Sequence, residues 1–160
     1  MSLTVAAAAD LRAMMAWFPD AGSTRSWGGP MFRFPFTYDS FIADAHWPEM
    51  ASWCLHDGPA FLAFGQYYER FGRINLARLA VHPERRGCGI GKRLLAALMR
   101  QAASTIDFPE FSLFVYREND PAIRCYTAMG FRIAEFPPDA PLQQETYYMV
   151  CGKQYNAEYE

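Results

Sequence analysis

Hydrophobic and polar positions change period along this chain, and each change marks an element. Residues 2–6 suit a short strand, and residues 8–18 take a helical spacing with Asp10 near the start and Pro19 after the end. Residues 19–36 hold Pro19, Gly22, Gly28, Gly29, Pro30 and Pro35 and read as an irregular loop. Thr37 then suits the cap of a short helix, Tyr38 to Ala45, which stops before Pro48. Ala51 to His56, Ala60 to Glu69 and Arg73 to His82 read as three strands of an antiparallel meander, with turns at Asp57-Gly58-Pro59 and Phe71-Gly72.

The third of these strands changes parity. Ile74 and Leu76 stand on even positions, Leu79 and Val81 on odd ones. One extra residue near Ala77-Arg78, a β-bulge, produces that shift in a strand with a single buried face. A central strand buried on both faces would carry no parity at all.

Beyond Pro83 the chain reads Glu84-Arg85-Arg86-Gly87-Cys88-Gly89-Ile90-Gly91-Lys92 and then becomes helical, with Ile90, Leu94, Leu95, Leu98 and Ala102 on one stripe. A strand at about 110–117 follows. A shorter helix runs from Pro121 to Ala128, capped by Asn119 or Asp120 and stopped by Gly130. Phe131 to Phe136 and Thr146 to Cys151 supply two last strands around a Pro-rich turn. The pattern is mixed α/β.

Composition narrows the classes. With 160 residues, 51% hydrophobic and 20% charged, the chain has the size and core of one domain and is no disordered tail. Fifteen basic against seventeen acidic residues leave a net charge of −2, which argues against nucleic acid as a partner. No apolar run exceeds six residues, as in Leu94 to Met99, far short of a membrane span, and the start lacks the pattern of a signal peptide. Cys54, Cys88, Cys125 and Cys151 are widely spaced, as reduced thiols of a cytoplasmic protein would be, and show no metal-ligand spacing with the three His. The aromatic share of 16% is larger than a core of this size needs, so some rings should line a pocket or an interface.

The strongest local signal is the strand, glycine loop and helix around Arg86 to Lys92. Glycines let backbone approach a ligand, and the helix start offers unpaired N–H groups and partial positive charge, which together suit a pyrophosphate. The spacing is neither the dinucleotide fingerprint nor a Walker loop, and three glycines alone equally suit an ordinary connection.

Val81-x-Pro83-x-x-Arg86-x-x-Gly89-x-Gly91 resembles the acetyl-CoA pyrophosphate loop of the GNAT superfamily of N-acetyltransferases. Asn119-x-x-Ala122-x-x-x-Tyr126-x-x-x-Gly130-Phe131 resembles the second signature of that family, in the right order and separation. The resemblance covers about residues 73–136. It implies a central mixed, mostly antiparallel sheet of about seven strands flanked by helices and splayed at the bulge. It also implies acetyl-CoA as co-substrate, no metal, and one domain over 1–160. Residues 1–56 would form the acceptor side, 57–136 the cofactor core, and 137–160 the last strand and tail.

Carried over residue by residue, Gly87, Cys88, Gly89, Ile90, Gly91 and Lys92 would hold the pyrophosphate through backbone N–H groups, with Arg86 beside them. Leu79, Ala80 and Val81 would pair with the pantetheine arm, and Asn119 would hydrogen-bond the cofactor as well as cap its helix. Tyr126 would face the departing thiolate. A tyrosine pKa of about 10 against about 8.5 for a thiol makes full proton transfer uphill by roughly 2 kcal/mol, so a strengthening hydrogen bond serves as well.

The chain departs from the family at the base. Neither Ile74 to Leu79 nor Ser112 to Tyr116 contains an acid; His46, Glu49, His56 and Glu145 are available, and none is assigned. All four Trp (Trp17, Trp27, Trp47, Trp53) lie in the first third with several Phe, where the family's acceptor site is bordered. At least half of these rings are expected to bury helices on the sheet. Tyr147 and Tyr148 are further candidates for touching the acceptor. The expected activity is acetyl transfer to a primary amine of a small molecule or peptide by direct attack in a ternary complex. The alternative is a non-catalytic acyl-CoA sensor of the same fold. A homodimer through the last strands is compatible with the family.

Overall fold

The computed structural model describes residues 1–153 and resolves the chain into a seven-stranded sheet with five α-helices. The strands are β1 (Ser2–Val5), β2 (Ala51–Asp57), β3 (Ala60–Arg70), β4 (Arg73–Val81), β5 (Glu110–Tyr116), β6 (Arg132–Ala134) and β7 (Thr146–Gly152). The helices are α1 (Ala8–Met14), α2 (Ala21–Gly28), α3 (Tyr38–Asp44), α4 (Ile90–Ala103) and α5 (Asp120–Ala128). Sheet order is β1-β2-β3-β4-β5-β7-β6. β4 and β5 pair in parallel, while β1–β2, β5–β7 and β6–β7 pair antiparallel, which is the mixed, open sheet expected from the sequence. The expected tail of the region 137–160 lies partly outside the described residues.

The chain divides into two compact units, Met1–Gln66 with Arg78–Leu94, and Tyr67–Ala77 with the chain from Leu95. In the first unit, α1 to α3 supply a cluster in which Leu11, Met14 and Phe41 are fully buried against Cys54 and Phe64 of the sheet. Trp27 is its centre, stacked 4.2 Å from Phe18 and 5.5 Å from Phe41. A second cluster joins Leu55 and Leu62 to Ile90 and Leu94 of α4, with Leu79 and Val81 against it. Ala80 packs in the Trp27 cluster instead, so alternation is intact past the bulge.

Two expectations are corrected. Residues 19–36 are not all loop, because α2 lies inside them. The cause is a capping box: Asp20 Oδ1 accepts from the Ser23 N–H at 2.7 Å, and Thr24 and Trp27 face the core. Pro19 and Gly29 bound the helix rather than prevent it. Gly28 is needed for close approach, since a Cβ there would stand 2.5 Å from the Phe32 ring. The last expected strand before the Pro-rich turn is also shorter, reduced to β6.

The parity shift in β4 is a bulge. Arg78 has φ +48°, a left-handed conformation inside a strand. After the two-residue turn Phe71-Gly72, regular pairing would set His82 opposite Phe61. Its N–H donates instead to the Leu62 carbonyl at 2.8 Å, so β4 has spent one residue more than β3.

In the second unit β5 and β7 pair along their whole length, from Glu110 with Gly152 to Tyr116 with Thr146. Arg73 joins Glu110 at 3.2 Å and donates to the Tyr148 hydroxyl at 3.3 Å. Asn75 and Ser112, a directly opposed β4–β5 pair, are both buried, with Ser112 Oγ donating to Asn75 Oδ1 at 3.3 Å.

Candidate functional site

The glycine loop belongs to the first unit. Past β4, Pro83–Arg85 form one tight turn, with the Glu84 N–H donating to His82 Nδ1 at 3.1 Å. Gly87 and Gly89 then take φ +76° and +77°, conformations that cost an L side chain roughly 1–2 kcal/mol. Pro83 to Gly89 are exposed, whereas Ile90 is buried and anchors the start of α4. The first turn of α4 contains no acid, so its unpaired N–H groups keep their full attraction for an anion. Arg85, Arg86 and Lys92 lie on the exposed surface of the same segment. Cys88 is exposed, its thiol donating to the Arg86 carbonyl at 3.7 Å.

Leu79, Ala80 and Val81 follow the bulge immediately. The bulge is held by side chains that sequence reasoning missed. Trp27 Nε1 donates to the Arg78 carbonyl at 2.8 Å, and Arg78 Nη1 donates to Gln66 Oε1 at 3.0 Å. Gln66 is fully buried and donates in turn to the Ala45 carbonyl at 2.6 Å and to Ser52 Oγ at 2.9 Å. A polar Gln66 inside an apolar strand is the signal that was available.

The second unit holds the other signature. Asn119 Oδ1 accepts from the Ala122 N–H at 3.4 Å and Pro121 opens the first turn, so the expected cap is present. Tyr126 is half-buried on α5, its ring edge-on to Phe131 at 6.1 Å. Burial of the phenol pushes its pKa up, with a smaller contribution from Cys125. The hydroxyl is therefore a proton-bearing donor throughout the neutral range.

Of the unassigned base candidates, His46, Glu49 and Glu145 are exposed, while His56 is committed to Asp10 at 3.4 Å. Tyr148 is fully buried and bonded to Arg73, which closes it to a ligand; Tyr147 is half-buried beneath the Arg117 guanidinium, 4.8 Å from its ring. Among the Trp, Trp17 is buried in the core cluster and Trp27 and Trp47 pack against it, and ten of the 26 aromatic residues belong to or pack on this cluster. No helix among the described residues is long and apolar enough to cross a membrane.

Comparison with known proteins agrees with this geometry. The acetyltransferase (GNAT) family model matches residues 21–131. The peptidyl-lysine N-acetyltransferase YiaC of Escherichia coli (strain K12) is 29% identical over 126 residues, 78% of this chain and 80% of that protein. The aminoglycoside acetyltransferase AAC(6')-Ib in complex with coenzyme A superposes with TM-score 0.74 at 18% identity, covering 98% of this chain and 97% of that one. Spermidine N-acetyltransferase from Vibrio cholerae, in complex with CoA and spermine, gives 0.72 at 16% identity over 98% and 97% of the two chains. The chain thus belongs to the GNAT family of acetyltransferases and is an acyl-CoA N-acyltransferase with acetyl-CoA as its co-substrate.

Proposed function

We propose that the protein moves an acetyl group from acetyl-CoA to a primary amine of a small molecule or peptide by direct attack in a ternary complex. The observation that carries this reading is the loop itself. Two left-handed glycines in an exposed loop lead into the start of an acid-free helix, where unpaired N–H groups attract an anion. The named relatives act on spermidine, aminoglycosides and peptidyl-lysine, which supports an amine as acceptor.

In this reading backbone N–H groups from Gly87 to Lys92 hold the pyrophosphate, with Cys88 and Ile90 contributing amides only and Arg86 adding charge. Leu79 to Val81 pair with the pantetheine arm as an added strand would. Asn119 bonds the cofactor while capping α5. The amine lone pair attacks the thioester carbonyl carbon, the C–S bond breaks, and sulfur leaves with the electron pair. Tyr126 then donates a hydrogen bond to the developing thiolate. Its raised pKa makes full transfer of the proton costlier than the roughly 2 kcal/mol of the unperturbed pair, so the phenol acts as a stabilising donor. The proton lost by the amine goes to solvent or to a group left unassigned.

Calorimetry with acetyl-CoA, followed by thiol release across a panel of polyamines, aminoglycosides and lysine peptides, tests the proposal. Binding with turnover on at least one amine is expected. Tyr126→Phe should lower kcat about 100–1000-fold with little change in acetyl-CoA affinity, as loss of one transition-state donor does. Binding without turnover on any amine would contradict the transfer reading, and an unchanged kcat would remove Tyr126 from it.

A further inference from the structure

Away from the glycine loop, the first unit gathers three side chains that lie far apart in the sequence. Asp10 comes from α1, and Cys54 and His56 come from one face of β2, two positions apart. Their carboxylate oxygen, thiol sulfur and imidazole nitrogen all lie within 4.8 Å of one another. His56 Nε2 stands 3.4 Å from Asp10 Oδ1.

Each member is held. β2 is fixed by its antiparallel register with β1, Thr4 opposite Cys54 and Ser2 opposite His56. The other carboxylate oxygen, Asp10 Oδ2, accepts from the Ala7 N–H at 2.9 Å as the capping group of α1. The His56 ring stacks on Phe61 at 5.2 Å and 21°. Cys54 is fully buried, whereas the Asp10 and His56 side chains are 17% and 22% exposed, which leaves one open side to the cluster.

We propose that Asp10, Cys54 and His56 form a binding site for a divalent transition-metal ion of the zinc class. Zinc takes sulfur at about 2.3 Å, imidazole nitrogen at about 2.0–2.1 Å and carboxylate oxygen at about 2.0–2.2 Å. Around a tetrahedral ion those lengths set the ligand atoms roughly 3.3–3.6 Å apart. The Asp10–His56 separation is already in that range, and the remaining distances, all within 4.8 Å, need a contraction of about 1 Å at most. A thiol and an imidazole disfavour calcium and magnesium, which take oxygen ligands. With three protein ligands, the fourth position lies on the exposed side and takes water.

The balance of the step is simple: the ion displaces the Cys54 proton to solvent, a sulfur–metal bond forms, and no oxidation state changes. Burial, and to a smaller extent the neighbouring Asp10 carboxylate, raises the Cys54 pKa and keeps the thiol protonated in the metal-free state. The ion would tie α1 to β2 and takes no part in acetyl transfer, so the fate of this proposal is separate from that of the enzymatic one.

Chelator-treated full-length protein is titrated with Co2+ and then with Zn2+. One Co2+ per chain is expected, with a sulfur-to-cobalt charge-transfer band and tetrahedral visible bands that Zn2+ erases. The melting temperature should rise with Zn2+ and fall again with chelator. Cys54→Ser should abolish the charge-transfer band, whereas Cys88→Ser, which removes the exposed thiol, should keep it. Since Cys54 is buried and its variant can misfold, His56→Gln provides the second arm. It should weaken Zn2+ binding beyond the roughly 10–100-fold that loss of an outer-shell partner costs, with circular dichroism unchanged. No charge-transfer band in the wild type, a band lost only in Cys88→Ser, or undiminished Zn2+ affinity in His56→Gln would each overturn the site. The three side chains would then be a hydrogen-bonded clasp between helix and strand.

Discussion

The glycine loop and the Trp27 cluster belong to the same compact unit and work by opposite means. The loop is exposed, nearly free of packing, and offers backbone: its two left-handed glycines have open space where a side chain would begin. The cluster offers side chains alone, with Phe18 and Phe41 stacked on Trp27 and Phe41 fully buried. A backbone device tolerates almost any neighbour but demands glycine at fixed places, and so leaves a mark in the sequence. A packing device tolerates many arrangements of rings, and leaves only a composition. A backbone device is therefore written in motifs, and a packing device is not.

Breaking the cluster should have the largest effect on stability. Phe41→Ala removes a fully buried ring at its centre and should cost about 3–5 kcal/mol in denaturant unfolding. A loss under 1 kcal/mol would mean the cluster is not the core described. Trp27→Phe keeps most of the packing but withdraws the donor from the Arg78 carbonyl, at about 1–3 kcal/mol. It should also raise the KM for acetyl-CoA severalfold, because Leu79 to Val81 lose the fixed geometry of the bulge; an unchanged KM would uncouple the two regions. The smallest effect is in acid. Arg33 clamps Asp44 through two bonds of 3.0 Å and holds its carboxyl below the usual range. A depressed carboxylate stabilises the fold above its unfolded pKa of about 3.9, and that contribution is lost as pH falls through the lower folded value. Wild type and Arg33→Met should differ by a constant amount above about pH 5 and converge below pH 4. A difference that grows in acid would contradict the pairing.

The same contrast explains what the sequence let one read. The bulge was legible because Ile74 and Leu76 disagree in parity with Leu79 and Val81, and φ at Arg78 is its physical form. Asn119, Pro121 and Gly130 marked α5 because caps and stops need particular side chains. Helix α2 was hidden by the density of Pro and Gly around it, although the Asp20–Ser23 capping box was present to be found. The Asp10–Cys54–His56 cluster had no local pattern, and the Gln66–Arg78–Trp27 support showed only a polar Gln66 in an apolar strand, since tertiary folding brings these partners together.

The central proposal is that the backbone of the loop, with charge from Arg86, holds acetyl-CoA, and that the Cys88 side chain takes no part. Calorimetric titration of acetyl-CoA into wild type, Cys88→Ala and Gly89→Ala tests it most directly. No atom lies within 4 Å of a Cβ added at Gly89, so that substitution acts through φ alone. The account predicts affinity within about twofold of wild type for Cys88→Ala and about tenfold weaker for Gly89→Ala, the roughly 1–2 kcal/mol of left-handed strain. Unchanged affinity in Gly89→Ala, or a large loss in Cys88→Ala, would contradict it.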